Sequence, residues 1–140
     1  MADETNQLRV RLVTPERTLF EHPASAVELP SKSGYMEVLY GHAPLVAELG
    51  AGDVIVHGGA GGDQHYNVSW GFAEVLPDRV TILASDALKP EEIDVARANQ
   101  QSDRGLEEWK HAGESEEAYD KALRVIAEAE AKLATAAEKH

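Results

Sequence analysis

Residues 79–98, RVTILASDALKPEEIDVARA, change their hydrophobic period halfway along, and that change divides the fold. In RVTILA, Val80 and Ile82 alternate with other residues at the period of two that gives a strand one buried face. From Pro90 the pattern turns helical. Proline suits a first helical turn, where its missing N–H is not needed, and Glu91 and Glu92 follow where the helix dipole favours negative charge. The sequence therefore predicts a strand-built domain over residues 1–88 and a helical domain over 89–140.

Upstream, LRVRLV sets Leu8, Val10 and Leu12 against Arg9 and Arg11, DVIVHG pairs Val54 with Val56, and HYNVSW sets Tyr66, Val68 and Trp70 against Asn67 and Ser69. Turn residues separate these runs at Thr14 and Pro15, Pro30 to Gly34, Gly50 to Asp53, the glycine-rich HGGAGGDQ, and Pro77 with Asp78. Short strands at this spacing predict an antiparallel β-sandwich or flattened barrel of about eight to ten strands. Downstream, Gly113 is placed to close one helix and Ser115 to cap the next, with Glu116 and Glu117 in its first turn. Tyr119, Leu123, Ile126 and Leu133 then recur at helical spacing, padded by Ala122, Ala129 and Ala136, so residues 89–140 read as an antiparallel α-helical hairpin. With Ile93, Leu106 and Trp109 on the first arm, the hairpin is poor in large apolar side chains. Their burial falls short of the entropy lost in ordering the backbone. The expectation is that the hairpin needs a surface to dock on.

The 140 residues suffice for one ordinary domain plus an appendage. With 43% hydrophobic and 27% charged residues the chain has the composition of a folded globular protein. A net charge of −12 argues against nucleic acid and against unaided binding to an anionic membrane, and favours protein partners. Without cysteine there is no disulfide, thiolate metal site or cysteine nucleophile. MADETNQLRV has neither the basic nor the apolar region of a secretory leader, and no run reaches the ~18 apolar residues of a membrane span. The chain reads as intracellular and soluble by itself.

Three stretches invite a chemical reading. In YGHAPLVAEL, residues 40–49, His42 could serve a small hydrolase only with a nucleophile and an orienting carboxylate, and no serine lies in a nucleophile-elbow context. Gly41 and Pro44 instead predict a turn that shapes an interface. His57 and His65 flank the glycine-rich loop and could begin a zinc site, but zinc takes three or four protein ligands and only Asp63 is close in sequence, so a solvated hairpin pair is the expectation. GGAGG lacks the lysine and following Ser or Thr of a phosphate loop.

VTPERTLF (13–20), GHAPL (41–45), GFAEV (71–75), VTILASDA (80–87) and EEIDVARA (91–98) occur in the order in which similar segments occur in the ε subunit of bacterial and chloroplast F-type ATP synthases. The resemblance covers nearly the whole chain. It implies a non-catalytic subunit of the rotating central stalk, acting in proton-coupled ATP synthesis. The sandwich would tie the γ subunit to the membrane ring of c subunits, and the hairpin would move and restrain ATP hydrolysis through the catalytic α and β subunits. It implies membrane association only through the complex, on the cytoplasmic face of a bacterial plasma membrane.

The same resemblance places the γ and c-ring contacts at the sandwich end formed by Ser33 to Pro44, among them Ser33, Tyr35, Met36, Glu37, Tyr40, His42 and Pro44. Glu37, Tyr40 and Trp70 stand where the family commonly has glycine, proline and glycine, which adds bulk near that end. The motif formed by Ile93, Asp94, Arg97 and Ala98, extended by Arg104, is similar to one that grips ATP in some members. Those members bring more arginines from the last helix. Here Glu128 and Lys132 stand in their place, and a glutamate repels triphosphate, so ATP is expected to be a weak regulatory ligand or none, with no other cofactor and no metal. Asp94 and Arg97, three apart, are expected to share a helix face as an exposed ion pair. Residues 103–140 carry ten acidic and six basic side chains, which predicts at most modest inhibition through an acidic β-subunit contact. The alternative reading is a soluble nucleotide-sensing module acting away from the synthase.

Overall fold

A computed structural model describes residues 7–138 and divides into two compact units, Met1–Leu88 and Lys89–His140. The first holds seven strands: β1 (Leu8–Val13), β2 (Thr18–Ala24), β3 (Ala26–Ser31), β4 (Gly34–Leu39), β5 (Leu45–Gly59), β6 (Gly62–Leu76) and β7 (Arg79–Leu88). They form one sheet in the order β2-β1-β7-β6-β5-β3-β4. All its pairs are antiparallel except β1 with β7, which is parallel. The sheet folds over on itself, so that β2, at one edge, packs against the first half of β6. The Tyr66 hydroxyl donates to the Leu19 carbonyl at 3.4 Å, and the rings of Phe20 and Tyr66 meet edge to face. Leu8, Leu12, Leu29, Leu49, Val54, Val68 and Ile82 are fully buried between the resulting layers.

The expected eight to ten strands become seven because β5 and β6 each run 15 residues. Gly50 to Asp53, read in the sequence as a turn, lie inside β5, where Ala51 pairs with Ser69 and Asp53 with Asn67. What changes there is the face that is buried. Ala47 and Leu49 point inward before this point, and Val54 and Val56 after it. The same switch of parity separates Tyr66 and Val68 from Ala73 and Val75 on β6, and Ala84 from Ala87 on β7. A strict period of two cannot switch faces without a break in the extended backbone. Trp70 and Gly71 supply that break, with φ of 60° and 119°. A Cβ on Gly71 would lie 2.0 Å from the Leu83 carbonyl oxygen, so that position admits only glycine.

The second unit begins with a single 3-10 turn, Pro90–Glu92, and continues as α1 (Val95–Lys110) and α2 (Glu116–Glu138). Pro90 therefore opens the short turn, where the Glu92 carboxylate accepts from Lys89 N–H at 2.7 Å, and the long helix starts five residues later. Asp94 is its N-cap, accepting from Arg97 N–H at 3.0 Å. Gly113 takes φ of 60° after α1, and Ser115 Oγ accepts from Ala118 N–H at 3.2 Å to cap α2. No helix among the described residues is long and apolar enough to cross a membrane.

The packing between the helices departs from expectation. Ala98 and Gly105 on α1, seven apart, and Ala112 just after that helix are buried with Ala122 and Ala129 on α2, while Leu106, Trp109, Tyr119 and Leu123 are exposed and Ile126 and Leu133 half-buried. Small residues let the helix axes approach until larger side chains no longer fit between them. A Cβ on Gly105 would sit 2.7 Å from Ile126 Cγ1. The alanines are the contact, and the large side chains flank it, with Trp109 and Tyr119 in ring contact at 5.9 Å near the hairpin turn.

Gly71→Ala should destabilise the sandwich by about 2–4 kcal/mol, because its methyl meets backbone that cannot yield; denaturant unfolding followed by tyrosine and tryptophan fluorescence checks this. Gly105→Leu should lower the thermal midpoint of the helical signal by prising α1 from α2, at a cost of about 1–3 kcal/mol. Far-ultraviolet circular dichroism would show helix lost ahead of strand.

Candidate functional site

The segment after β4 is shaped by its backbone. His42 N–H donates to the Leu39 carbonyl at 3.1 Å, closing a four-residue turn in which Gly41 has φ of 91°, the value that third position of a type II turn requires. Gly41 N–H donates to Pro77 O at 2.7 Å, tying this turn to the one between β6 and β7. His42 Nδ1 lies 2.7 Å from the carbonyl oxygen of its neighbour Ala43, to which it donates as N–H, and the ring is half-buried. The imidazole braces the turn.

Around it the surface is apolar. Tyr35, Leu39, Tyr40, Leu45 and Val46 are all exposed, Val46 to 68%. On β4 the alternation puts Tyr35, Glu37 and Leu39 outward, and Met36 and Val38 inward. Met36 thus packs on the core while its neighbours face outward. Tyr35 is fixed despite its exposure: its hydroxyl accepts from Asp53 N–H at 2.9 Å, where the β3–β5 register is interrupted. Gly52 leaves room for it, since a Cβ there would lie 2.5 Å from the tyrosine oxygen. Ser33 occupies the two-residue turn joining β3 to β4, and Pro44 is exposed just before β5. The structure brings Tyr35, Tyr40, His42 and Pro44 to β4 and the loop that follows it; Leu39, Leu45 and Val46 add to that surface and were not singled out in the sequence, although their apolar character was visible there.

The two loop histidines have separate partners. His57 Nε2 is 2.5 Å from Glu28 Oε2, and its Nδ1 is 3.0 Å from Asp63 Oδ2, while His65 Nε2 stands 3.3 Å from Asp53 Oδ2. Asp63 also accepts from Gly58 N–H at 3.0 Å, so the glycine-rich stretch is a two-residue turn pinned by a carboxylate. The hydrogen bonds it donates to Glu28 first, and then to Asp63, hold the His57 imidazole in its protonated form and raise its pKa above the usual 6.5. Asp63 is shifted down, chiefly by the Gly58 N–H and then by His57. Glu28 and Glu37 face each other across β3 and β4, and with His57 they bring donor atoms within 4.8 Å of one another. A cation could use these three donors only by displacing the proton that joins His57 to Glu28. Glu28 is 29 residues from His57 and escaped the sequence reading, because only strand pairing brings it near.

In the helical unit Asp94 and Arg97 do not form the expected ion pair. Asp94 lies before the helix with its carboxylate on the Arg97 N–H, and the Arg97 guanidinium is exposed. Ala98 is buried between the helices, Ile93 is half-buried, and Arg104 lies 3.9 Å from Glu108. Lys132 is held by Glu128 at 3.2 Å within α2.

A β-sandwich folded from one seven-stranded sheet, followed by a helical hairpin, is the architecture to be placed. Residues 7–90 match the family described as ATP synthase, Delta/Epsilon chain, beta-sandwich domain. The chain is 44% identical over 102 residues to the ATP synthase epsilon chain of Koribacter versatilis, covering 73% of this chain and 71% of that one. It is 39% identical over 132 residues to the corresponding chain of Solibacter usitatus, covering 94% and 97%. Its fold is shared with a chain of the Euglena gracilis mitochondrial ATP synthase, solved by cryo-EM in an assembly of OSCP, F1 and c-ring, at a TM-score of 0.77 and 23% identity over 100% of this chain and 88% of that one. The chain belongs to the ATP synthase epsilon chain family.

The raised pKa of His57 fixes a sign. Its bridge contributes stability fully below the unfolded value near 6.5 and loses it as pH rises through the folded value above that. Asp63 behaves oppositely, losing its contribution as pH falls through its depressed pKa. The stability difference between the wild-type chain and His57→Gln should therefore be larger at about pH 6 than at about pH 9. Urea midpoints at the two pH values test this.

Proposed function

We propose that this chain is a rotor subunit of the F-type ATP synthase, joining the γ subunit to the c ring through the sandwich and tuning ATP hydrolysis with the hairpin. The observation that carries this reading is the family match over residues 7–90 together with the exposed apolar surface of Tyr35, Leu39, Tyr40, Leu45 and Val46. Exposed aromatic and aliphatic side chains fixed on a rigid sheet suit a protein partner. The Euglena neighbour, from an assembly with F1 and c-ring, and a Tetrahymena thermophila neighbour, described as central stalk and c-ring, favour the same assignment.

The chain acts by holding partners rather than by making bonds. The turn from Leu39 to His42, braced by Gly41 and the His42–Ala43 contact, keeps Tyr40 and Pro44 in place for the partner. Association would localise the chain to the cytoplasmic face of the membrane through the complex. The small-residue contact between α1 and α2 leaves Leu106, Trp109, Tyr119 and Leu123 free to meet a second surface, which is how the hairpin would sense the α and β subunits. The arrangement around Arg97 supports only weak ATP binding, since Arg104 and Lys132 both have intrahelical carboxylate partners.

Reconstitution with γ and the c ring tests the assignment. Tyr40→Asp should weaken association by about tenfold or more, as expected for a charge placed in an apolar contact. Removal of residues 89–140 should leave association intact and raise ATP hydrolysis by no more than a few-fold, in keeping with the net negative hairpin. Loss of association on removing the hairpin would overturn the division of labour.

A further inference from the structure

The outer face of β1 and β7 carries a charge arrangement that neither the sandwich fold nor the partner surface explains. Arg9 on β1 stands directly opposite Arg79 on β7 in the parallel pair, and Arg11 stands opposite Thr81. Val10 and Val80 point into the core, so these arginines face outward. Reading the pairings across four strands gives one row of Pro23, Arg9, Arg79 and Leu76, and a second of Glu21, Arg11, Thr81 and Glu74. In the second row Arg11 is neutralised by Glu21 at 3.4 Å. In the first, two arginines stand opposite one another in register, and no carboxylate among the described residues forms an ion pair with either.

Like charges directly opposite on neighbouring strands repel. Such a pair is unexpected in a chain with a net charge of −12, where carboxylates outnumber cations nearly two to one. The surface over it is concave: a groove of about 320 Å³ is lined by the three arginines with Glu21, His22, Glu74 and Thr81. Guanidinium groups bind phosphate oxygens in bidentate pairs, and two of them on adjacent strands offer a fork from each side.

We propose that this groove binds a phosphate-type oxyanion between Arg9 and Arg79, with the Thr81 hydroxyl adding a donor nearby. Glu21 and Glu74 flank the next row, so the site takes a compact group, a single phosphate or a diphosphate, and disfavours a longer polyanion. The same chemistry is presented by a free phosphate compound and by a phospholipid headgroup. The proposal does not depend on the rotor assignment, because it concerns residues that neither the partner surface nor the helical motif uses.

The test uses the full chain at low ionic strength. Inorganic phosphate and pyrophosphate are titrated while the arginine side-chain N–H resonances are followed by NMR. Saturable shifts at Arg9 and Arg79 are expected, weakened about tenfold by Arg9→Gln or Arg79→Gln and unchanged by Lys121→Gln. Both substitutions lie on the outer face, and circular dichroism confirms that the variants fold. In a second arm, sedimentation with vesicles containing phosphatidic acid assigns the headgroup as source if Arg79→Gln abolishes it, and a free phosphate compound if vesicles do not bind while pyrophosphate does. The proposal is overturned if the shifts are confined to Arg97 and Arg104, if nothing saturates, or if the folded Arg79→Gln chain binds as tightly as wild type.

Discussion

One break in backbone regularity organises the strand-built unit. Along a line that crosses β5 at Gly50–Asp53, β6 at Trp70–Gly71 and β7 at Ser85–Asp86, the buried face of each strand switches parity. Without that switch a 15-residue strand buried on one face would keep one side toward water along its whole length. With it, a single sheet serves as both walls of its own core. The left-handed backbone of Trp70 and Gly71 makes the switch, and the contact of Gly71 with the Leu83 carbonyl makes it irreplaceable there. A tryptophan in that region costs about 1–2 kcal/mol relative to glycine. Its presence there shows how firmly the surrounding register holds the bend.

The outward surfaces follow from this construction. Because the ladder continues on both sides of the switch, β4 is left as one edge and β2 as the other. Apolar residues collect at β4 and the loop beyond it, where the turn at Gly41 is tied to Pro77. The opposite run, from β2 through β7, carries the arginine rows. The acidic cluster of Glu28, Glu37 and Asp63 around His57 adjoins the β4 surface, where Glu37 stands between Tyr35 and Leu39, and a proton shared by histidine and carboxylates there relieves the repulsion of opposed glutamates. Charge in this protein is therefore sorted by strand pairing, and the net value of −12 says little about any one face.

The helical unit is built on a different principle. Its axes are brought together by Ala98, Gly105, Ala122 and Ala129, so close packing takes the place of large-residue burial. The contact is narrow, and most of the large apolar side chains are left outside it. The shortage of core visible in the composition is thus realised as exposed Leu106, Trp109, Tyr119 and Leu123.

Much of this was fixed by local chemistry and could be read directly. The change from period two to helical spacing near Pro90, the cap at Ser115, the left-handed Gly113 and the turn at Gly41 each depend on a few neighbouring residues, and each is seen in the structure. Relations between distant strands were not legible. Gly50 to Asp53 have turn composition but lie within β5, because pairing with β6 on one side holds them extended. Asp94, read as an ion-pair partner, caps a helix whose start was masked by an earlier proline. The sequence by itself determined which segments could be strands and which helices, since that choice rests on side-chain period and backbone freedom. Only the tertiary structure decided which faces those segments bury, which carboxylate meets His57 and which arginines stand side by side, because these depend on registers between residues up to seventy positions apart.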